Sequence, residues 1–242
     1  MASSQSFIAM TLIGKDAVTL FQLIALTLTA VWLAAVLTWL RRSTAALAGG
    51  LFAIGIFTLI SLAYGLVTPV GLGLGGFGAW WLTAGLALAW LGVVLAYSPM
   101  ANRLAARWFP QPPTLEAFKP IQESRGKLVA GILAAWGLGG FLEELVARGI
   151  VLQALESLLA AWLSPPVVVT IAVLVAAAGA GLMHAYQGPR AMVIITQISL
   201  LFGVLFVASG NNLWPVILCH GLYDTIAFIR FASGKSSYAV RR

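Results

Sequence analysis

Six ionisable side chains in or beside long apolar runs carry most of the chemistry open to this 242-residue chain: Glu143, Glu144, Arg148, His184, His220 and Asp224. An ionisable group inside an apolar span is costly to keep and is a functional candidate by default. The chain has two histidines in all, and both fall in or at the ends of such runs. On an α-helix Glu144 and Arg148, four residues apart, can pair. Glu143 points roughly 100° from Glu144 and about 140° from Arg148. The doublet therefore divides into a structural carboxylate neutralised by Arg148 and a free one. The stripe of Glu143 holds Gly139, Gly140 and Ala147, which leaves room for water or a polypeptide, or for close helix packing. The stripe of His184 holds Ala177, Ala180 and Gly181, again small, while His220 and Asp224 share a face one turn apart.

Two chemistries fit these residue types. In one, Glu143 with His184 takes a proton from water, the water attacks a carbonyl, and His220 and Asp224 stabilise the oxyanion or the leaving group. In the other, Glu143, His184, His220 and Asp224 ligate a metal such as zinc, which activates the water. A proton relay or polar glue within a carrier or scaffold bundle uses the same groups without hydrolysis. Other patterns carry less. Gly73-Leu-Gly-Gly-Phe-Gly78 has no βαβ context and reads as a flexible turn. No His-Glu-x-x-His occurs, and Cys219, the single cysteine, reads as a small packing residue.

The elements that must position these groups are membrane helices. Hydrophobic residues make up 61% of the chain and charged ones 9%, with mean hydropathy +0.98. Soluble domains average nearer 45–50% and about 25%. From Ser43 through Asn102 run 60 residues without a charge, room for two spans of about 20 residues. Seven spans are expected: Ala17–Leu40, Ala45–Val67, Phe77–Tyr97, Leu128–Arg148, Pro166–Tyr186, Ala191–Ser209 and Leu213–Phe231. The fold class is thus an all-α polytopic membrane protein. Twelve of the 14 basic residues fall in alternate connections: Arg41 and Arg42; Arg103, Arg107, Lys119, Arg125 and Lys127; Arg190; and Arg230, Lys235, Arg241 and Arg242. That bias sets the N-terminus outside and the C-terminus in the cytoplasm, and it accounts for the net charge of +7 as cytoplasmic loops facing anionic lipid, without nucleic acid. The start of the chain lacks the pattern of a cleaved signal peptide. Ser98–Lys127, with Pro110, Pro112, Pro113 and Pro120, reads as a linker or surface-lying segment. One membrane domain is expected over 1–242, with peripheral helices and the basic loop in 1–126 and a catalytic core in 127–231.

Glu143-Glu144-Leu-Val-Ala-Arg148, then His184, then His220-Gly-Leu-Tyr-Asp224 resemble the motifs of the CAAX-protease and bacteriocin-processing (CPBP, or Abi) family, which includes the type II CAAX prenyl endopeptidases. The motifs are Glu-Glu-x-x-x-Arg, Phe-x-x-x-His and His-x-x-x-Asn/Asp, in that order on separate helices. The resemblance spans roughly Lys127 to Ile229 and implies an intramembrane endopeptidase of a prokaryotic cytoplasmic membrane. It implies that Glu143 and His184 activate water, that His220 and Asp224 take the oxyanion side, and that Glu144 and Arg148 support them. No cofactor is required on this reading; zinc is the alternative. The implied partners are the bilayer and a membrane-associated peptide or protein substrate. Ala180 stands where the pattern has Phe, which widens the pocket. Asp224 stands where the prenyl endopeptidases have Asn, and an ionised Asp cannot donate to an oxyanion. His184 and Asp224 each lie six residues, about 9 Å of helix, from Arg190 and Arg230. Glu143 is 16 residues, about 24 Å, from Lys127, so convergence requires span 4 to bend or tilt near Gly137, Gly139 and Gly140. A water-filled cavity in the cytoplasmic half follows.

Overall fold

The computed structural model describes residues 2–38 and 43–234, with side chains placed from residue 18 onward. Arg41, Arg42, Lys235, Arg241 and Arg242, part of the topology signal, lie outside the described residues. The described chain holds seven long helices and no strand: α1 (Ala2–Thr38), α2 (Thr44–Ala63), α3 (Trp80–Trp108), α4 (Arg125–Leu159), α5 (Pro165–Met183), α6 (Pro189–Ala208) and α7 (Leu213–Ala232). Each contains a stretch long and apolar enough to cross a membrane. Leu59, Leu133 and Val31 are among many large apolar side chains left exposed on their faces. Lipid tails, not water, suit such a surface. Trp80, Trp81, Trp108 and Trp162 are exposed near helix ends, and rings of this kind favour the boundary between headgroups and hydrocarbon.

Local chemistry explains the boundaries. Ser43, Ser124 and Asn212 cap α2, α4 and α7 by accepting hydrogen bonds from Ala46 N, Lys127 N and Trp214 N. Pro165 and Pro189 open α5 and α6, where a missing N–H costs nothing. The fifth helix ends at Met183, three residues before the expected boundary. A single 3₁₀ turn, Ala185–Gln187, then leads to Gly188 at φ 94°, which reverses the chain into α6.

α1 begins at Ala2, ahead of the expected Ala17, and two helices run well past their expected C-terminal ends. The third reaches Trp108 and tolerates Pro99 internally, and the fourth reaches Leu159. Within α4, residues Trp136–Glu143 and Leu145–Leu152 are π-helical. Hydrogen bonds from i to i+5 put more residues in each turn and bring successive side chains to angles an α-helix does not offer. The widened stretch covers Gly137, Gly139 and Gly140, where the sequence calls for a departure from straight helix.

The α3–α4 connection is mostly exposed, as a surface-lying segment would be, and it is also anchored to the helices. Thr114 N donates to Gln187 O (2.9 Å), Gln122 Nε2 donates to Phe231 O (2.9 Å), Ile121 is buried, and Phe118 packs on Phe228. Arg190, expected as a loop charge, is buried and donates to Asn102 Oδ1 (3.0 Å) and Pro110 O (3.1 Å). A buried guanidinium needs such acceptors, and the Pro110 carbonyl, outside any helix, supplies one. The Gly73–Gly78 turn is also docked: Gly73 O and Gly75 O accept from Leu213 N and Trp214 Nε1, both at 2.8 Å, and Phe77 stacks on Trp214.

Candidate active site

Three helices build the site. The π-helical part of α4 supplies Glu143, Glu144 and Arg148, the end of α5 supplies His184, and α7 supplies His220 and Asp224. Contact between α4 and α7 is close because their facing residues lack side chains. A Cβ on Gly140 would sit 3.4 Å from the Gly221 backbone, and one on Gly139 would sit 2.8 Å from Asp224 Oδ2. The small stripe beside Glu143 is therefore occupied in part by the α7 site residues. The stripe below His184 serves packing too: a Cβ on Gly181 would overlap Thr196 of α6.

Glu144 is the hub. Its side chain is 1% exposed; Arg148 Nη1 lies 3.0 Å from Oε2 and 3.2 Å from Oε1, and His220 Nδ1 donates to Oε1 at 2.6 Å. The link from Glu144 to His220 crosses between helices and adds to the expected pairing with Arg148. Arg148 Nη2 donates to Ser199 O (2.6 Å) and Ser199 Oγ (2.5 Å) on α6. Phe202, also on α6, covers both partners: the Arg148 guanidinium carbon is 5.8 Å from its ring centroid, and the His220 ring is 4.9 Å away. Ser199 and Phe202 are thus parts of the site that spacing within the motifs could not reveal. A buried carboxylate is tolerable only with such partners.

From this closed end the groups become progressively more exposed. His220 Nε2 lies 3.5 Å from Asp224 Oδ2, and the two side chains are 14% and 23% exposed. Glu143, half-buried, makes no hydrogen bond or ion pair with the described residues, yet lies close enough to Tyr186, His220 and Asp224 to act on each electrostatically. Asp224 feels His184 as well. His184 Nδ1 donates to Ala180 O at 2.9 Å, which in the neutral ring leaves Nε2 as a bare acceptor. The structure shows no direct hydrogen bond between Glu143 and His184.

Among the described residues no three His, Cys, Asp or Glu side chains come together as ligands. Both ring nitrogens of His220 face carboxylates, and Glu144 is already neutralised by Arg148. Cys219 is buried in the apolar core.

Beside the site, between α1, α4 and α5, lies an apolar cleft of about 180 Å³ lined by residues including Trp32, Leu33, Val146, Val151, Ala180 and Met183. Ala180, one turn before His184, is where a larger ring would close it.

Compared with known proteins, residues 125–226 match the family model described as type II CAAX prenyl endopeptidase Rce1-like. No curated protein and no solved structure matches the chain.

Proposed function

We propose, on the premise that residues 125–226 belong to the CAAX-protease (CPBP) family, that this integral membrane protein is an intramembrane endopeptidase whose water is activated by Glu143 and His184. One observation carries the reading. Glu144 is consumed by Arg148 and His220, whereas Glu143, one residue earlier, keeps an uncommitted carboxylate beside the partly open His220–Asp224 edge. A base needs a lone pair that nothing else uses. Glu143 accepts a proton from water while the bare Nε2 of His184 accepts a hydrogen bond from the hydrogen that stays on the oxygen and orients the attack. The hydroxide oxygen bonds to the scissile carbonyl carbon, and the carbonyl π pair moves onto its oxygen. As the tetrahedral species collapses, the C–N bond breaks and the proton held by Glu143 passes to the leaving amine. The His220–Glu144–Arg148 chain holds the far wall rigid and fixes the polarity of that edge.

The basic residues of alternate connections support an orientation with the N-terminus outside and the site reached from the cytoplasmic side. The apolar cleft supports a substrate that carries an apolar chain alongside its peptide.

The test is cleavage by the full chain in proteoliposomes, with one peptide offered in lipidated and unlipidated forms. Hydrolysis that resists chelators and falls roughly a hundredfold in His184→Ala is expected. Absence of cleavage, or its loss on chelation, overturns the mechanism. Ala180→Phe is a second prediction. The ring fills the cleft and raises KM for the lipidated peptide about tenfold more than for the bare peptide, the equivalent of roughly two unburied methylenes. Equal KM changes for both peptides would show that the cleft does not hold the chain.

A further inference from the structure

The edge where a carbonyl oxygen would turn into an oxyanion is short of hydrogen-bond donors. Asp224, when ionised, can only accept. His220 gives Nδ1–H to Glu144 Oε1 and turns Nε2 toward Asp224 Oδ2. His184 gives Nδ1–H to Ala180 O. Arg148 is spent on Glu144 and Ser199, and Trp136 Nε1 donates to Thr225 Oγ1. Tyr186 is different. It sits in the 3₁₀ turn directly after His184, its ring stacked 5.9 Å from the His184 ring. Gln187 Nε2 donates to its hydroxyl oxygen at 2.8 Å, so the lone pair is occupied and no described residue accepts the hydroxyl hydrogen. Glu143 and Asp224 both lie near enough to act on it electrostatically. Burial pushes the hydroxyl up to about 12, so it stays a donor throughout the physiological range.

The turn is also held from behind. Gln187 is buried, its N–H bonds to His184 O and its carbonyl accepts from Thr114 N in the docked α3–α4 connection. Fixed donors aimed at developing charge need no reorganisation as reaction proceeds.

Resting on the endopeptidase reading, we propose that the Tyr186 hydroxyl is a further catalytic group of this site, donating its hydrogen to the oxyanion formed at the scissile carbonyl. Gln187, acting through it, is a positioning residue.

Wild type, Tyr186→Phe and Glu143→Gln are compared in proteoliposomes, with kinetics on the cleaved peptide and binding of a phosphonate analogue whose tetrahedral oxygens stand in for the oxyanion. Phe keeps the ring stack, so Tyr186→Phe is expected to lower kcat roughly 10²–10³-fold and weaken the phosphonate by a similar factor, with KM nearly unchanged. A structural role would move KM or thermal unfolding and leave the split between substrate and phosphonate alone. Unchanged kcat in Tyr186→Phe beside an active wild type and a dead Glu143→Gln overturns the proposal while the protease reading stands. A wild type that neither cleaves nor binds the phosphonate overturns both. If the Phe variant does not fold, fluorinated tyrosines at position 186 decide: phosphonate binding tightens as the hydroxyl becomes more acidic, and no trend overturns the role.

Discussion

Glu143→Gln is expected to lower kcat by about 10²–10⁴-fold, the span a positioned general base contributes, while leaving the fold intact. The amide matches the carboxylate in shape but holds no lone pair basic enough to take a proton from water. Glu143 makes no hydrogen bond or ion pair with the described residues and is only half-buried, so the exchange breaks no network. Thermal unfolding should stay within a degree or two of wild type, and KM should change little because Glu143 acts on the water and does not hold the substrate. Full activity in Glu143→Gln would remove the base from the mechanism. A shared loss of activity and stability would mean that Glu143 is structural.

The contrast with the neighbouring Glu144 shows what the sequence could and could not tell. Separation of the two carboxylates was legible, because a Glu four residues before an Arg pairs with it in any near-helical backbone. The seven spans were legible too, since runs of 20 apolar residues admit little else. Their ends were less so. Reading α4 as ending at Arg148 treats a charge as a boundary, yet Arg148 is buried mid-helix, neutralised by Glu144 and hydrogen-bonded to Ser199, and the apolar run continues to Leu159. The bond from His220 to Glu144 joins residues 76 apart on different helices, and no periodicity within one helix contains it. The docked connection escaped for another reason. Two of its contacts end on backbone carbonyls, Thr114 N to Gln187 O and Arg190 to Pro110 O, and a carbonyl leaves no mark on composition. Tyr186 was hidden as an aromatic at the edge of an apolar span, until the 3₁₀ turn set its hydroxyl against Gln187.

Glu144→Ala carries the largest expected loss of stability. Arg148 is 2% exposed, and without Glu144 its charge remains buried with Ser199 and the face of Phe202 as partners. Breaking a buried pair by removing one member costs about 3–5 kcal/mol, a large share of the 5–15 kcal/mol that holds an ordinary domain together. A fall in thermal midpoint in detergent, with loss of activity, reads this directly; a midpoint equal to wild type would mean the pair stabilises nothing. Removing both charges separates stability from chemistry. Glu144→Leu with Arg148→Met leaves no uncompensated ion, and apolar replacements of buried pairs are often neutral or better. The double variant should therefore recover much of the lost stability. It should not recover turnover, because His220 Nδ1 would still lack the carboxylate that holds its ring, and Nε2 would no longer be fixed against Asp224. Stability restored without activity places Glu144 in the orientation of His220. Both restored together would confine Glu144 to neutralising Arg148.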